Sequence, residues 1–83
     1  MTKEEREIRN EIKGYIAKSG WSMTDVVAKM NEDLPEGKKT TVQNISNKLS
    51  RGTIKYVEAK KIADITGYKI EWIEQLIEPV KEI

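Results

Sequence analysis

The sequence predicts an all-α fold, a compact bundle of five helices in a single domain over residues 1–83. Three observations lead there. Apolar residues recur at the three- and four-residue spacing of helices. Glycines interrupt that pattern at Gly20, Gly52 and Gly67, where helices are expected to stop. No β-alternation is long enough to read as a strand, and no internal repeat is present. A chain of 83 residues holds one small core. Net stability on the order of 5 kcal/mol is expected for a monomer.

Each element has its own signals. Thr2 is placed to cap helix one (residues 3–18), with Glu4 and Glu5 in its first turn, where negative charge is favourable. Ile8, Ile12, Tyr15 and Ile16 form its apolar stripe. Arg6, Arg9 and Lys13 lie among glutamates on a solvated face. Ser22 can cap helix two (23–31), with Asp25 three residues later. Val26, Val27 and Met30 are its apolar side, and Ala28 is small enough for a neighbouring helix to approach. Trp21 is placed to pack over the end of helix one, with ligand stacking as its alternative role.

Residues 32–39 read as a linker, because Pro35 and Gly37 both oppose a continuous helix. Leu34 is placed to tuck back into the core. Helix three (41–50) takes Thr40 or Thr41 as its N-cap. Val42, Ile45 and Leu49 form its core stripe, and Gly52 closes it with positive φ. Thr53 can cap helix four (54–65), with Ile54, Val57, Ile62 and Ile65 as contacts and Ala59 and Ala63 as close-packing positions. Helix five (71–77) is short and strongly apolar, and Pro79 ends it before a tail over 78–83.

Composition narrows the chemistry. The chain has no Cys and no His, so disulfides, thiolate metal sites and the commonest general base are excluded. No metal and no cofactor is expected. Carboxylates are plentiful but have neither metal-ligand spacing nor partners to tune them, and no glycine-rich phosphate loop is present. Tyr15, Tyr56 and Tyr68 read as residues at the edge of the core. No catalytic residue is assigned, and an enzyme is not expected. No positive segment followed by an apolar run suggests a signal peptide, and apolar runs are too short to span a membrane. A cytoplasmic protein is the expectation.

Charge is segregated along the chain. Formal net charge is +1, yet residues 38–61 hold seven Lys/Arg and one acid, Glu58. That window is therefore +6 and the remainder −5. Within it, Gln43, Asn44, Asn47 and Lys48 are candidate readers of base edges, since amides pair with adenine and lysine addresses guanine in the major groove. Lys38, Lys39, Thr40, Thr41, Ser46, Ser50, Arg51 and Lys55 are candidate phosphate contacts, joined by the N–H groups that open helix three. Lys60 and Lys61 add non-specific attraction. The bland alternative is a polar solvent face with ordinary surface lysines.

The order of elements adds a resemblance. Gly20-Trp21-Ser22-Met23-Thr24-Asp25-Val26-Val27-Ala28-Lys29-Met30 resembles the first helix of the helix-turn-helix in the Cro/CI (lambda-repressor-like, XRE) family. Residues Thr41 to Arg51 match its recognition helix, and Gly52 the glycine that follows. Residues Ile62 to Ile73 look like its fourth helix, glycine turn and last short helix. The linker before helix three is longer than that family's tight turn, and Ser50 stands where many members carry a glutamate. The resemblance implies a lambda-repressor-like DNA-binding domain, a small transcriptional regulator (a repressor) of double-stranded DNA, and binding as a homodimer to a palindromic operator. Ile73, Ile77, Val80 and Ile83 are the candidate dimer interface, being more apolar surface than so small a core can absorb. The competing reading is a protein-interaction module of phage or mobile-element type acting on a host protein.

Overall fold

A computed structural model of the chain describes residues 2–76. Four α-helices carry the fold: α1 (Lys3–Ser19), α2 (Met23–Asn31), α3 (Val42–Arg51) and α4 (Tyr56–Thr66). A single 3-10 turn, Glu36–Lys38, lies in the connection between α2 and α3. No strand occurs among the described residues. The tightest packing pairs α1 with α3 and α4, and α2 with the same two helices.

The helix ends follow local chemistry. Thr2 Oγ1 accepts the Glu5 N–H at 3.1 Å and Glu5 Oε1 accepts the Thr2 N–H at 2.6 Å, a reciprocal capping box. The Thr2 N–H on the carboxylate first, and the Thr2 hydroxyl second, hold the Glu5 carboxyl below its ordinary value. Ser22 Oγ caps α2 through the Asp25 N–H at 3.1 Å. Gly20, Gly52 and Gly67 all sit at positive φ beyond helix ends. At Gly52 and Gly67 the next residue's N–H reaches back into the last turn, Thr53 to Lys48 O and Tyr68 to Ala63 O, both at 2.8 Å.

The core is Ile16 of α1, Val26, Val27 and Met30 of α2, Ile45 and Leu49 of α3, and Ile62 of α4. Ile12, Trp21, Met23, Val42, Ile54 and Ile65 pack around it. Ile45, Leu49 and Val26 are wholly buried. Truncating a residue such as Leu49 to Ala costs about 2–5 kcal/mol, comparable to the whole stability of a domain this size. The recognition candidate α3 is thus bolted to the bundle by its inner face.

Several expectations are corrected. The five-helix, lambda-repressor-like architecture gives way to a four-helix bundle, because residues 71–76 form no helix. So short a helix needs tertiary packing to persist, and Trp72 (90% exposed), Ile73 and Leu76 bury almost nothing. The last position of the expected fifth helix, Ile77, and the tail lie outside the described residues. Helix four starts at Tyr56 rather than Ile54, with Lys55 in place of Thr53 at its N-cap. Val57 is 70% exposed, since it falls five residues before Ile62, out of phase with the stripe Ala59, Ile62, Ala63 and Thr66. Ala28 is exposed, because α2 presents Met23, Val26, Val27 and Met30 inward. Leu34 is only partly covered.

Gly52 has two constraints and Gly67 one. Both need positive φ, but a Cβ at Gly52 would also lie 2.5 Å from Cβ and Cγ of Glu5, whereas a Cβ at Gly67 meets nothing within 4 Å. Gly67→Ala is expected to cost about 1 kcal/mol and Gly52→Ala about 3 kcal/mol. Urea midpoints of the two variants check this; equal losses would show that Glu5 yields freely.

Candidate nucleic-acid interface

The position of α3 is set where the chain enters it. The side-chain amide of Asn31, the last residue of α2, holds the backbone of Thr40 on both sides. Its Oδ1 accepts the Thr40 N–H at 2.9 Å and its Nδ2 donates to the Thr40 carbonyl at 2.9 Å. Thr41 Oγ1 then accepts the Asn44 N–H at 3.1 Å and starts the helix. The first N–H groups of a helix have no partner within it, so those of Val42 and Gln43 remain at the tip as a site for an anion.

With Ile45 and Leu49 turned inward, α3 presents Gln43, Asn44 and Arg51 outward, with Asn47 half-buried beside them and Ser50 exposed at the edge. Gln43 Nε2 donates to Asn47 Oδ1 at 3.1 Å, an i,i+4 amide pair. That bond leaves Gln43 Oε1 and the Asn47 Nδ2 hydrogens outside the pair, an acceptor next to donors. Ser46 is half-buried on the shoulder toward the core.

Lys48 points elsewhere. Its ammonium lies 2.7 Å from Glu58 Oε2 of α4, and the two side chains are 35% and 17% exposed. Glu58 Oε1 accepts the Lys55 N–H at 2.9 Å, so both carboxylate oxygens are engaged. Burial pushes the Glu58 carboxyl up, but the bonds from Lys48 and the Lys55 N–H, with both lysine charges, outweigh it and hold it below its ordinary value.

Other cations of the basic segment are also occupied. Lys39 pairs with Glu36 at 3.0 Å, and Lys61 with Asp33 at 3.8 Å. Among the described residues, Lys38, Arg51, Lys55 and Lys60 form no ion pair with a carboxylate; Lys60 lies over the Tyr56 ring at 5.8 Å. The backbone of Thr40 is committed to Asn31 and the hydroxyl of Thr41 to the cap, so neither group is idle. The candidate interface residue Ile73 is 79% exposed beside Trp72, whose Nε1 donates to Tyr56 Oη at 3.1 Å. Ile77, Val80 and Ile83 lie outside the described residues.

Sequence reasoning passed over Asn31 and Glu58. Asn31 carries no local signal, as its partner is nine residues away. Glu58 had one, being the lone acid among seven bases.

Comparison with protein-family models, curated proteins and solved structures gives no match to this chain. No helix among the described residues is long and apolar enough to cross a membrane, and no carboxylate group among them has the arrangement to hold a metal ion.

Two outcomes follow from this geometry. Asn31→Ala leaves the Thr40 N–H and carbonyl without their partner and is expected to cost about 2 kcal/mol, with faster amide exchange at Thr40 measured by NMR. The lowered Glu58 carboxyl stabilises the fold fully above its ordinary value of 4.5, and that contribution disappears as pH falls through the depressed folded value. Glu58→Gln is expected to cost about 1 kcal/mol at pH 7 and much less at pH 3. Denaturation midpoints at the two pH values test it; an equal loss at both would remove the charge from the account.

Proposed function

We propose that this chain is a sequence-specific double-stranded DNA-binding protein, a cytoplasmic transcriptional repressor that reads the major groove with α3 and performs no catalysis. The observation that carries the proposal is the outward face of α3. Gln43, Asn44 and Asn47 offer amide chemistry there, on a helix anchored from behind by Ile45 and Leu49. Amides of this kind match the N6 and N7 edge of adenine. Lys38, Arg51 and Lys55, cations without carboxylate partners among the described residues, provide the phosphate attraction, with the N-terminal N–H groups of α3 as a further contact.

The oligomeric part of the proposal rests on a second observation. Trp72, Ile73 and Leu76 are largely exposed, with Trp72 against half-exposed Tyr56. Apolar surface of this kind marks a contact with another protein. A second copy is the proposed partner, giving a homodimer on a palindromic operator. The same residues favour the second reading, a module that docks on a host protein.

Selection of bound duplexes from a random pool at physiological salt separates the two. An enriched motif is expected, and its symmetry reports the dimer. Replacing Gln43, Asn44 and Asn47 together by Ala should erase the motif yet keep salt-sensitive attraction to any duplex. Since three of the seven bases are paired internally, log K should fall with log salt at a slope of only about −3 to −4 per protomer. Arg51→Ala should weaken binding to every sequence and flatten that slope by about one. A pool that yields no motif and no salt-dependent binding leaves the docking module as the surviving reading.

A further inference from the structure

We infer that Glu58, a residue of α4 outside the reading face, determines the base specificity of α3 by withholding Lys48 from it. The recognised half-site is then read by amides alone and centres on adenine-bearing base pairs. This rests on the DNA-binding proposal above and adds to it which bases are recognised and why.

The argument begins with what each side chain of α3 can offer. Guanine presents two acceptors in the major groove, O6 and N7, and calls for a cation; adenine presents one donor and one acceptor and calls for an amide. Only Lys48 and Arg51 are cationic on α3, and both belong to its last turn. A helix that enters the groove by its N-terminus reads with its early turns, which places Arg51 at the phosphates. Lys48, directly after Asn47 in the chain, is the cation of α3 closer to its N-terminus, three residues before Arg51.

Lys48 is held away from that cluster. Its ammonium is bonded at 2.7 Å to a carboxylate that is itself mostly buried. The opposite oxygen of that carboxylate is tied to the backbone N–H of Lys55 at 2.9 Å. The anchor therefore cannot swing out with the lysine. Reaching a guanine would break a charge-assisted bond and leave Glu58 facing the core flank without its counterion. A good bidentate base contact discriminates by roughly 5- to 150-fold, and a lysine must first give up its own partner to earn it. Gln43, Asn44 and Asn47 face no comparable loss, since the one side-chain bond among them is an exposed amide pair.

The test uses duplex selection with the full chain in three forms: wild type, Glu58→Gln, and the double variant Lys48→Met with Glu58→Met. The wild type should yield a motif in which adenine is the strongest preference. Glu58→Gln releases the ammonium and should add a guanine preference of about tenfold at one position of each half-site, keeping the adenines. The double variant should return the wild-type motif, because no lysine remains to restrain or release. If Glu58→Gln does not fold, which circular dichroism reports, the double variant still shows whether Lys48 contributes to the wild-type motif, and a lost preference overturns the inference. The inference is overturned, with DNA reading intact, if the wild type centres on guanine, if folded Glu58→Gln selects an unchanged motif, or if the double variant loses a wild-type base preference. A wild type that enriches nothing overturns the DNA-binding proposal itself, and this inference with it.

Discussion

The two hydrogen bonds between the Asn31 amide and the Thr40 backbone are the constraint on which the rest of the molecule depends. The connection over residues 32–41 is too long to orient α3 by its own stiffness. Pro35 and the 3-10 turn shape its middle, but neither fixes where it ends. Asn31 does so by acting as a one-residue strand, offering a donor and an acceptor to a peptide that would otherwise lack both. The N-cap Thr41 follows immediately, so the clamp sits directly at the entry to α3. From that entry Ile45 and Leu49 reach the core. The outward set of Gln43, Asn44 and Asn47 is the complement of that burial.

A second theme is electrostatic restraint. A window carrying six net positive charges looks, as a string, like an undifferentiated basic patch. In three dimensions it is thinned by Glu36, Asp33 and Glu58, each of which takes one lysine. The first two pairs are largely exposed and contribute little to stability. The third is different, because Glu58 is mostly covered and doubly bonded. What remains outward is a smaller set of cations around an amide face.

Legibility in the sequence tracked the range of the interaction. The starts of α1, α2 and α3 were readable because Thr2, Ser22 and Thr41 act on N–H groups three residues away, and three of the stops because glycine alone accepts their φ without strain. The core stripe of α3 was readable from spacing. The Asn31 clamp and the Lys48 pair were not, since their partners lie nine and ten residues off and no local pattern links them. The fifth helix failed for a related reason. Its apolar residues have helical spacing, but spacing says nothing of whether they are received by the bundle, and Trp72, Ile73 and Leu76 stay exposed. Val57 shows the same gap on a smaller scale, an apolar residue whose phase places it outside.

Gly52 has an evolutionary consequence. Gln43 and Asn44 of α3 are exposed and Asn47 is half-buried, and the side-chain hydrogen bond among them joins two of the three to each other. Position 52 has less freedom while Glu5 of α1 lies against it. Descendants of this chain could therefore exchange residues at 43, 44 and 47 while inheriting an unchanged glycine at the foot of the same helix. The molecule separates what it can learn from what it must keep, and the boundary falls within ten positions of chain.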